Sequence, residues 1–204
     1  MEIFGITGGI GMGKSAAGDI LRSLGISVID TDQLARDVVA PGTPGLAEVL
    51  AEFGPEFADE HGGLRREALG QRVFADSPAL IRLNALVHPR IRAAWQAQLA
   101  TWRAAGIARA AVIIPLLYEN GYDAELQWVA CVACTASTQR MRLRDRGWSD
   151  GEIDRRIASQ LPTPEKMARA QRVVWTEGSR AAHAAQWPRV LASVPSLFNP
   201  IAPV

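Results

Sequence analysis

The sequence has few cysteines, no surplus of charge of either sign and no long hydrophobic run. Two cysteines among 204 residues exclude a disulfide-stabilised framework. A formal net charge of +1 gives no reason to expect broad nucleic-acid binding. Apolar runs stay short of the roughly 18–20 residues of a membrane span, and the first residues lack the segments of a signal peptide. We therefore expect a soluble, cytoplasmic protein with no nucleic-acid or membrane partner, acting as a monomer.

Lysine is scarce, while the rest of the composition is that of an ordinary globular protein. Twenty of the 22 basic residues are arginine, and the two lysines are Lys14 and Lys166. Apolar residues make up 48% of the chain and charged residues 21%, which excludes a disordered chain. The length predicts one domain with room for a small insertion.

Short apolar runs alternate with helical patterns along the chain. The runs predict strands at residues 3–7, 26–29, 111–114, 128–134 and 172–175. Periodic patterns predict helices at residues 14–24, 33–39, 138–146, 149–160 and 180–193. Residues 45–108 are mostly helical, with interruptions that include His88-Pro89. This alternation favours an α/β fold whose parallel sheet is covered by helices on both faces.

A glycine-rich loop follows the first predicted strand. Residues 8–15, Gly-Gly-Ile-Gly-Met-Gly-Lys-Ser, match the phosphate-loop pattern G-x-x-x-x-G-K-[ST] completely. The glycines let successive backbone N–H groups turn towards phosphate oxygens. Lys14 supplies a positive charge, and the Ser15 hydroxyl suits a Mg²⁺ ion. The strand before the loop and the helix after it favour a nucleoside triphosphate site over a chance turn. The residues predicted to bind the nucleotide here are Gly8, Gly9, Gly11, Met12, Gly13, Lys14, Ser15 and Ala16.

Two carboxylates, Asp30 and Asp32, follow the second predicted strand. The carboxyl ends of parallel strands face the ligand crevice of such a sheet. Asp32 is therefore placed to accept a proton from an attacking hydroxyl or to help hold Mg²⁺. The alternative is that Asp30 or Asp32 caps the helix predicted from Gln33, and the two roles do not exclude each other.

Four arginines, Arg140, Arg142, Arg144 and Arg146, lie within one predicted helix. Arg140 and Arg144 share one face, and Arg142 and Arg146 share another, so only one pair can face a bound phosphate. The planar guanidinium suits phosphate oxygens, and we predict a mobile lid over about residues 138–160. The alternative is a solvated face whose charge is balanced by neighbouring acids.

Cys131-x-x-Cys134 matches half of a redox or zinc motif. It has no second pair and lies in an apolar predicted strand, so we predict two core cysteines. Elsewhere no group of His, Cys and Asp has metal-ligand spacing. Mg²⁺ bound with the nucleotide is therefore the only metal expected.

Further motifs occur in a fixed order along the chain. Asp30-Thr31-Asp32 continues to Ala35-Arg36, Leu83 to Pro89 reads L-N-A-L-V-H-P, and Pro115 to Glu119 reads P-L-L-Y-E. Gln139, Arg142, Leu143, Arg146 and Gln160 follow. With the phosphate loop, this combination resembles the dephospho-CoA kinase family over nearly the whole chain. The loop alone is common to many enzymes, whereas the ordered set is highly specific.

The resemblance implies an activity and a role for each site residue. The activity is ATP-dependent phosphorylation of the ribose 3′-hydroxyl of dephospho-CoA, the final step of coenzyme A biosynthesis, with Mg²⁺ bound at Ser15. Asp32 would be the general base, Lys14 and Arg142 would stabilise the transferring phosphoryl group, and Arg146 would contact ATP. The residues implied to bind the acceptor are Asp32, Arg36, Arg66, His88, Leu117, Tyr118 and Glu119.

The family architecture divides the chain into a P-loop core, a helical acceptor-binding insert and an arginine-rich lid. We place the core at residues 1–44 and 109–194, the insert at 45–108 and a proline-rich tail at 195–204. Gln171 and Thr176 stand where the family usually has Asp and Asn, which leaves the adenine contacts open. A P-loop kinase with another acceptor, or a nucleotide-dependent switch, remains the alternative.

Overall fold

The computed structural model describes residues 1–74 and 76–193, so the predicted tail lies outside the described residues. Five strands form one sheet in the order β2-β3-β1-β4-β5, and all neighbours are parallel. The strands are β1 (Glu2–Thr7), β2 (Ser27–Asp30), β3 (Arg109–Ile113), β4 (Trp128–Ala133) and β5 (Arg172–Trp175). Each predicted strand is present close to its predicted bounds, which confirms the α/β prediction.

Helices connect the strands. They are α1 (Lys14–Ser23), α2 (Thr31–Asp37), α3 (Pro44–Phe53), α4 (Arg66–Phe74), α5 (Ser77–Ala104), α6 (Ala136–Arg144), α7 (Asp150–Ala158), α8 (Thr163–Arg169), α9 (Arg180–Ala184) and α10 (Trp187–Ser193). Short 3₁₀ turns occur at Pro55–Phe57 and Tyr122–Glu125. Across the described ranges, no helix has the length and apolar character needed to cross a membrane.

The sheet is apolar on both faces because helices cover it. Every residue of β4 is buried, and Phe4 of β1 stacks on Trp128 of β4 with ring centroids 4.2 Å apart. Ile6 and Leu21 are also fully buried in this core. Since β1 lies between β3 and β4, the loop that follows it emerges at the middle of the sheet, where ligands bind in open α/β folds.

The chain forms two compact units: Met1–Asp30 with the chain from Arg103 onward, and Thr31–Trp102. The second unit has its own apolar core, in which Val39 joins Leu46, Val49 and Leu69. The connection after β2 packs with the helical unit because Val39 is buried there, whereas the predicted insert starts at residue 45, and its bounds stay a prediction.

Two helix predictions were wrong. The predicted interruption at Pro89 is absent, and α5 runs through it. Proline removes one backbone donor, but burial of Trp95 and Leu99 on the same helix sustains it. Residues 180–193 form two helices, α9 and α10, rather than one. The break lies at Gln186, whose side chain holds Trp175: Nε2 donates to its carbonyl over 2.7 Å, and Oε1 accepts its N–H over 3.0 Å.

Candidate active site

The phosphate-loop glycines adopt conformations and approaches that other residues would oppose. Gly13 has a φ of +93° directly before α1, in the left-handed region that favours glycine. A Cβ at Gly8 would lie 2.3 Å from the carbonyl oxygen of Val132, which no side chain could avoid. Gly13, the residue at the N-cap of α1, has no side chain with which to cap the helix. The positive end of its dipole is therefore directed to the loop, as an anion-binding site requires.

Lys14 and Ser15 stand at the end of this loop. The Lys14 ammonium donates hydrogen bonds to the carbonyl oxygens of Gly8 and Gly9 over 2.8 and 3.0 Å, so its charge lies against the loop. Ser15 is exposed in the first turn of α1, and Asp30 ends β2 in the same sheet. A hydroxyl and a carboxylate are oxygen ligands of the kind that Mg²⁺ prefers.

These donors are too few to form a metal site without further ligands. In the part of the chain that the structure describes, His, Cys, Asp and Glu side chains form no group of three or more that could hold a metal ion. This pattern fits Mg²⁺, which proteins usually bind through one or two side chains together with substrate phosphates.

Arg142 reaches the phosphate loop through Thr176. Its guanidinium donates to the Thr176 hydroxyl over 2.9 Å and to the Thr176 carbonyl oxygen. The Thr176 hydroxyl in turn donates to the Met12 carbonyl oxygen over 2.9 Å. Thr176 is only 3% exposed, so its bond to Met12 is shielded from water, while the bonds from Arg142 are partly buried. Sequence reasoning considered Thr176 for the adenine contacts alone and missed its place beside Arg142.

The other three arginines of the group do not share this position. Arg140 pairs with Asp154, and Arg144 pairs with Asp150 over 2.8 Å, so this face of α6 is the solvated one. The prediction that Arg146 shares a helix face with Arg142 was wrong, because α6 ends at Arg144. Arg146 lies exposed in the following turn.

The P-L-L-Y-E turn buries two of the side chains predicted to bind the acceptor. Leu117 is fully buried and Tyr118 is 7% exposed. The Tyr118 ring carries the Arg169 guanidinium 4.2 Å from its centroid, and burial raises the pKa of Tyr118 to about 12. Both side chains are buried at this turn, and their contact with the acceptor stays a prediction.

Glu119, at the end of the same turn, forms an ion pair that sequence reasoning did not find. Lys166 of α8 is fully buried, and its ammonium lies 2.7 Å from Glu119 Oε1. It also donates to the Pro115 carbonyl oxygen over 2.7 Å. Burial alone would raise the pKa of Glu119. The hydrogen bonds from Lys166 and from the Leu161 N–H outweigh that effect and lower it. The sequence feature that could have drawn attention to this pair is that Lys166 is one of only two lysines in the chain.

We expect Glu119→Gln to cost more stability than Lys166→Met. The first change leaves a buried ammonium without its carboxylate, which typically costs about 3 kcal/mol or more, whereas the second removes that charge. Urea unfolding measures both free energies, and the double variant should be more stable than Glu119→Gln alone. Wild-type stability in Glu119→Gln would contradict the pairing.

The same pair predicts a pH dependence of stability. Because the folded-state pKa of Glu119 is lowered, its stabilising contribution is present above the ordinary carboxyl pKa of about 4.3. It is lost as the pH falls through the lowered value. The difference in melting temperature between the wild type and Glu119→Gln should therefore become smaller as the pH falls. A constant difference would contradict this assignment.

The remaining predicted acceptor residues lie in the helical unit. Asp32 is exposed in the first turn of α2. That helix starts at Thr31, so Asp30 directly precedes it and is the one of the two carboxylates that stands at the capping position. Arg66 donates to the Arg36 carbonyl oxygen over 2.9 Å, so these two residues are adjacent. His88 is half-buried on α5, and burial lowers its pKa, which favours the neutral imidazole.

Comparison with known proteins decides the family. A family model described as dephospho-CoA kinase matches residues 2–182. The chain belongs to the dephospho-CoA kinase family. A dephospho-CoA kinase from Anaeromyxobacter dehalogenans is 45% identical over 195 residues, covering 95% of this chain and 92% of that protein.

Two solved structures share the fold, and one of them carries the family's name. The crystal structure of TT1252 from Thermus thermophilus has a TM-score of 0.76 and 34% identity, covering 95% of this chain and 97% of the other. Dephospho-CoA kinase from Campylobacter jejuni has a TM-score of 0.68 and 26% identity, with coverage of 94% and 96%. The family and the fold class predicted from the motifs are thereby confirmed. The domain bounds and the individual site residues stay predictions.

Proposed function

We propose that this member of the dephospho-CoA kinase family phosphorylates the ribose 3′-hydroxyl of dephospho-CoA with ATP, giving coenzyme A and ADP. The observation that carries the proposal is the complete phosphate loop joined to Arg142 through Thr176. Phosphoryl transfer depends mainly on alignment and charge stabilisation, and this arrangement supports both. The two free, buried cysteines suit a reducing compartment, and we expect a cytoplasmic monomer.

The phosphate loop, Arg142, the carboxylates and the lid helices have distinct parts in the proposed reaction. The backbone N–H groups and the N-terminus of α1 bind the phosphates. Lys14 stabilises negative charge on the transferring group, and Arg142 does so from α6. Ser15, with Asp30 or Asp32, would hold Mg²⁺, which neutralises phosphate charge when it is bound. The helices α6 and α7 would act as the lid that excludes water, because water would otherwise accept the phosphoryl group.

Asp32 is the proposed general base. It lies two residues beyond the last residue of β2, in the first turn of α2, and it is exposed. A carboxylate in that position accepts the proton of the attacking 3′-hydroxyl as the bond to phosphorus forms. Arg36 and Arg66 are proposed to bind the acceptor with His88 and with the main chain of residues 117–119.

An acceptor analogue tests the proposed position of phosphorylation. We expect the 3′-deoxy analogue of dephospho-CoA to bind but to receive no phosphoryl group, while dephospho-CoA gives coenzyme A by mass. Phosphorylation of the 3′-deoxy analogue would move the reaction to another hydroxyl. Failure of both compounds with ATP bound would favour another acceptor or a nucleotide-dependent switch.

Arg142→Ala is expected to lower kcat by about 100-fold, while the affinity for ATP changes by only a few-fold. The reason is that a donor aimed at charge that develops in the transition state contributes mainly to the rate. Initial rates and direct ATP titration separate the two effects. Arg144→Ala is the matched control, since Arg144 lies on the same helix but pairs with Asp150 at the surface. A loss of affinity without a loss of rate would make Arg142 a binding residue only.

A further inference from the structure

Both backbone groups of Ile10, near the tip of the phosphate loop, are held by glutamine side chains. The Ile10 N–H donates to Gln160 Oε1 over 3.0 Å. The Ile10 carbonyl oxygen accepts a hydrogen bond from Gln139 Nε2 over 2.7 Å. Gln139 lies on α6 and Gln160 follows α7. The two ends of this helix pair therefore hold one loop residue from both sides.

This contact is partly buried and closely packed. Gln139 is only 5% exposed. A Cβ at Gly9 would lie 3.3 Å from Gln139 Nε2, and a Cβ at Gly11 would lie 3.0 Å from Leu143 Cγ. The loop thus packs directly against α6 on either side of Ile10. Gln139 also precedes Arg142 by three residues, which puts both on one face of the helix.

A glycine-rich loop needs such support more than other loops do. Glycine loses more conformational freedom on ordering than any other residue, and few side chains in the loop can pack to offset this cost. Two hydrogen bonds to Ile10 hold the chain between Gly9 and Gly11 in one conformation. The backbone N–H groups are then oriented before the phosphates bind, which preserves affinity.

We propose that Gln139 and Gln160 are positioning residues that hold the phosphate loop ready for ATP through the two backbone groups of Ile10. The proposal rests on the proposed function only in naming ATP as the ligand. On this proposal, the conformation of the phosphate loop depends on the packing of α6 and α7 against it. In this assignment neither glutamine touches the reacting atoms. Replacing either one should therefore change nucleotide binding rather than acceptor binding.

The first test replaces each glutamine by methionine, which has a similar size but cannot form these hydrogen bonds. Direct titration with Mg·ATP should show about tenfold weaker binding in Gln139→Met and in Gln160→Met, as expected for a lost hydrogen bond. The double variant should be weakened by much less than the product of the two, because both bonds order the same residue. KM for dephospho-CoA should stay unchanged.

Gln186→Met is the matched control. Gln186 holds both backbone groups of Trp175 in the same way, and its amide also donates to the Ala182 carbonyl oxygen, so these hydrogen bonds lie outside the phosphate loop. We expect this variant to lower thermal stability while leaving the ATP affinity at the wild-type value. Equal weakening of ATP binding in Gln186→Met would show that general destabilisation, and not loop positioning, is responsible. Wild-type ATP affinity in both loop variants would also overturn the proposal.

A second pair of variants separates hydrogen bonding from packing and charge. In Gln160→Glu the new carboxylate can still accept a hydrogen bond from the Ile10 N–H. In Gln139→Glu the ionised carboxylate cannot donate one to the Ile10 carbonyl oxygen. Gln160→Glu should therefore bind ATP about tenfold more tightly than Gln139→Glu, although both add one negative charge. Equal affinities, or the reverse order, would contradict the assignment. These titrations need no acceptor, so they give a result even if dephospho-CoA is not the substrate.

Discussion

Asp32→Asn is expected to lower kcat by about 10²–10⁴-fold, the usual contribution of a general base, with ATP binding near the wild-type value. Asparagine keeps the size and polarity of the side chain but cannot take the proton of the attacking hydroxyl. Asp32 lies in the first turn of α2 and is exposed, so its replacement removes little packing. The loss should therefore fall on the chemical step, which single-turnover measurements at saturating substrates isolate.

Asp37→Asn provides the control on the same helix. Asp37 is exposed and accepts a hydrogen bond from Gln33 over 2.9 Å, so this variant loses the same charge five residues further along. We expect nearly wild-type turnover from it. Near-normal turnover in Asp32→Asn would remove Asp32 as the base, and an equal loss in both variants would point to the net charge of α2 instead.

Lys14→Ala is expected to weaken ATP binding and to slow turnover together, reducing kcat/KM for ATP by about 10³-fold. Removing one group that stabilises a transferring phosphoryl group typically costs 10²–10³ in rate, and the lost charge also weakens binding of the ground state. In the structure this ammonium is held against the loop by the carbonyl oxygens of Gly8 and Gly9. Its position is therefore fixed by the loop itself.

Arg22→Ala tests whether any loss of positive charge on α1 has the same effect. Arg22 is exposed in the last turn of this helix and pairs with Asp19 over 3.2 Å. We expect wild-type kinetics from this variant. Unchanged kinetics in Lys14→Ala itself would overturn the phosphate-loop assignment.

Strands and the phosphate loop could be read from the sequence because their signals are local. Buried parallel strands are short apolar runs, and β1, β3 and β4 have that pattern. The continuity of α5 through Pro89 could not be read, since it depends on the burial of Trp95 and Leu99 in the folded chain. Likewise, the two-helix form of residues 180–193 depends on the bonds between Gln186 and Trp175.

The site was predictable where a motif names the chemistry, and not where distant residues meet. Lys14 and Ser15 follow from the loop pattern itself. The bond from Thr176 to the Met12 carbonyl oxygen joins residues far apart in sequence, and so does the pairing of Lys166 with Glu119. The periodicity of a sequence does not predict such contacts. The full burial of the Leu117 side chain is likewise not visible in the motif, and its contact with the acceptor stays a prediction.

The most direct test of the proposed function is ADP release from Mg·ATP with and without dephospho-CoA, with the product identified by mass. We predict that dephospho-CoA stimulates ADP release and that each ADP is matched by one product molecule heavier by one phosphoryl group. No stimulation by dephospho-CoA, with ATP still bound, would contradict the assignment of this chain as a kinase for that acceptor.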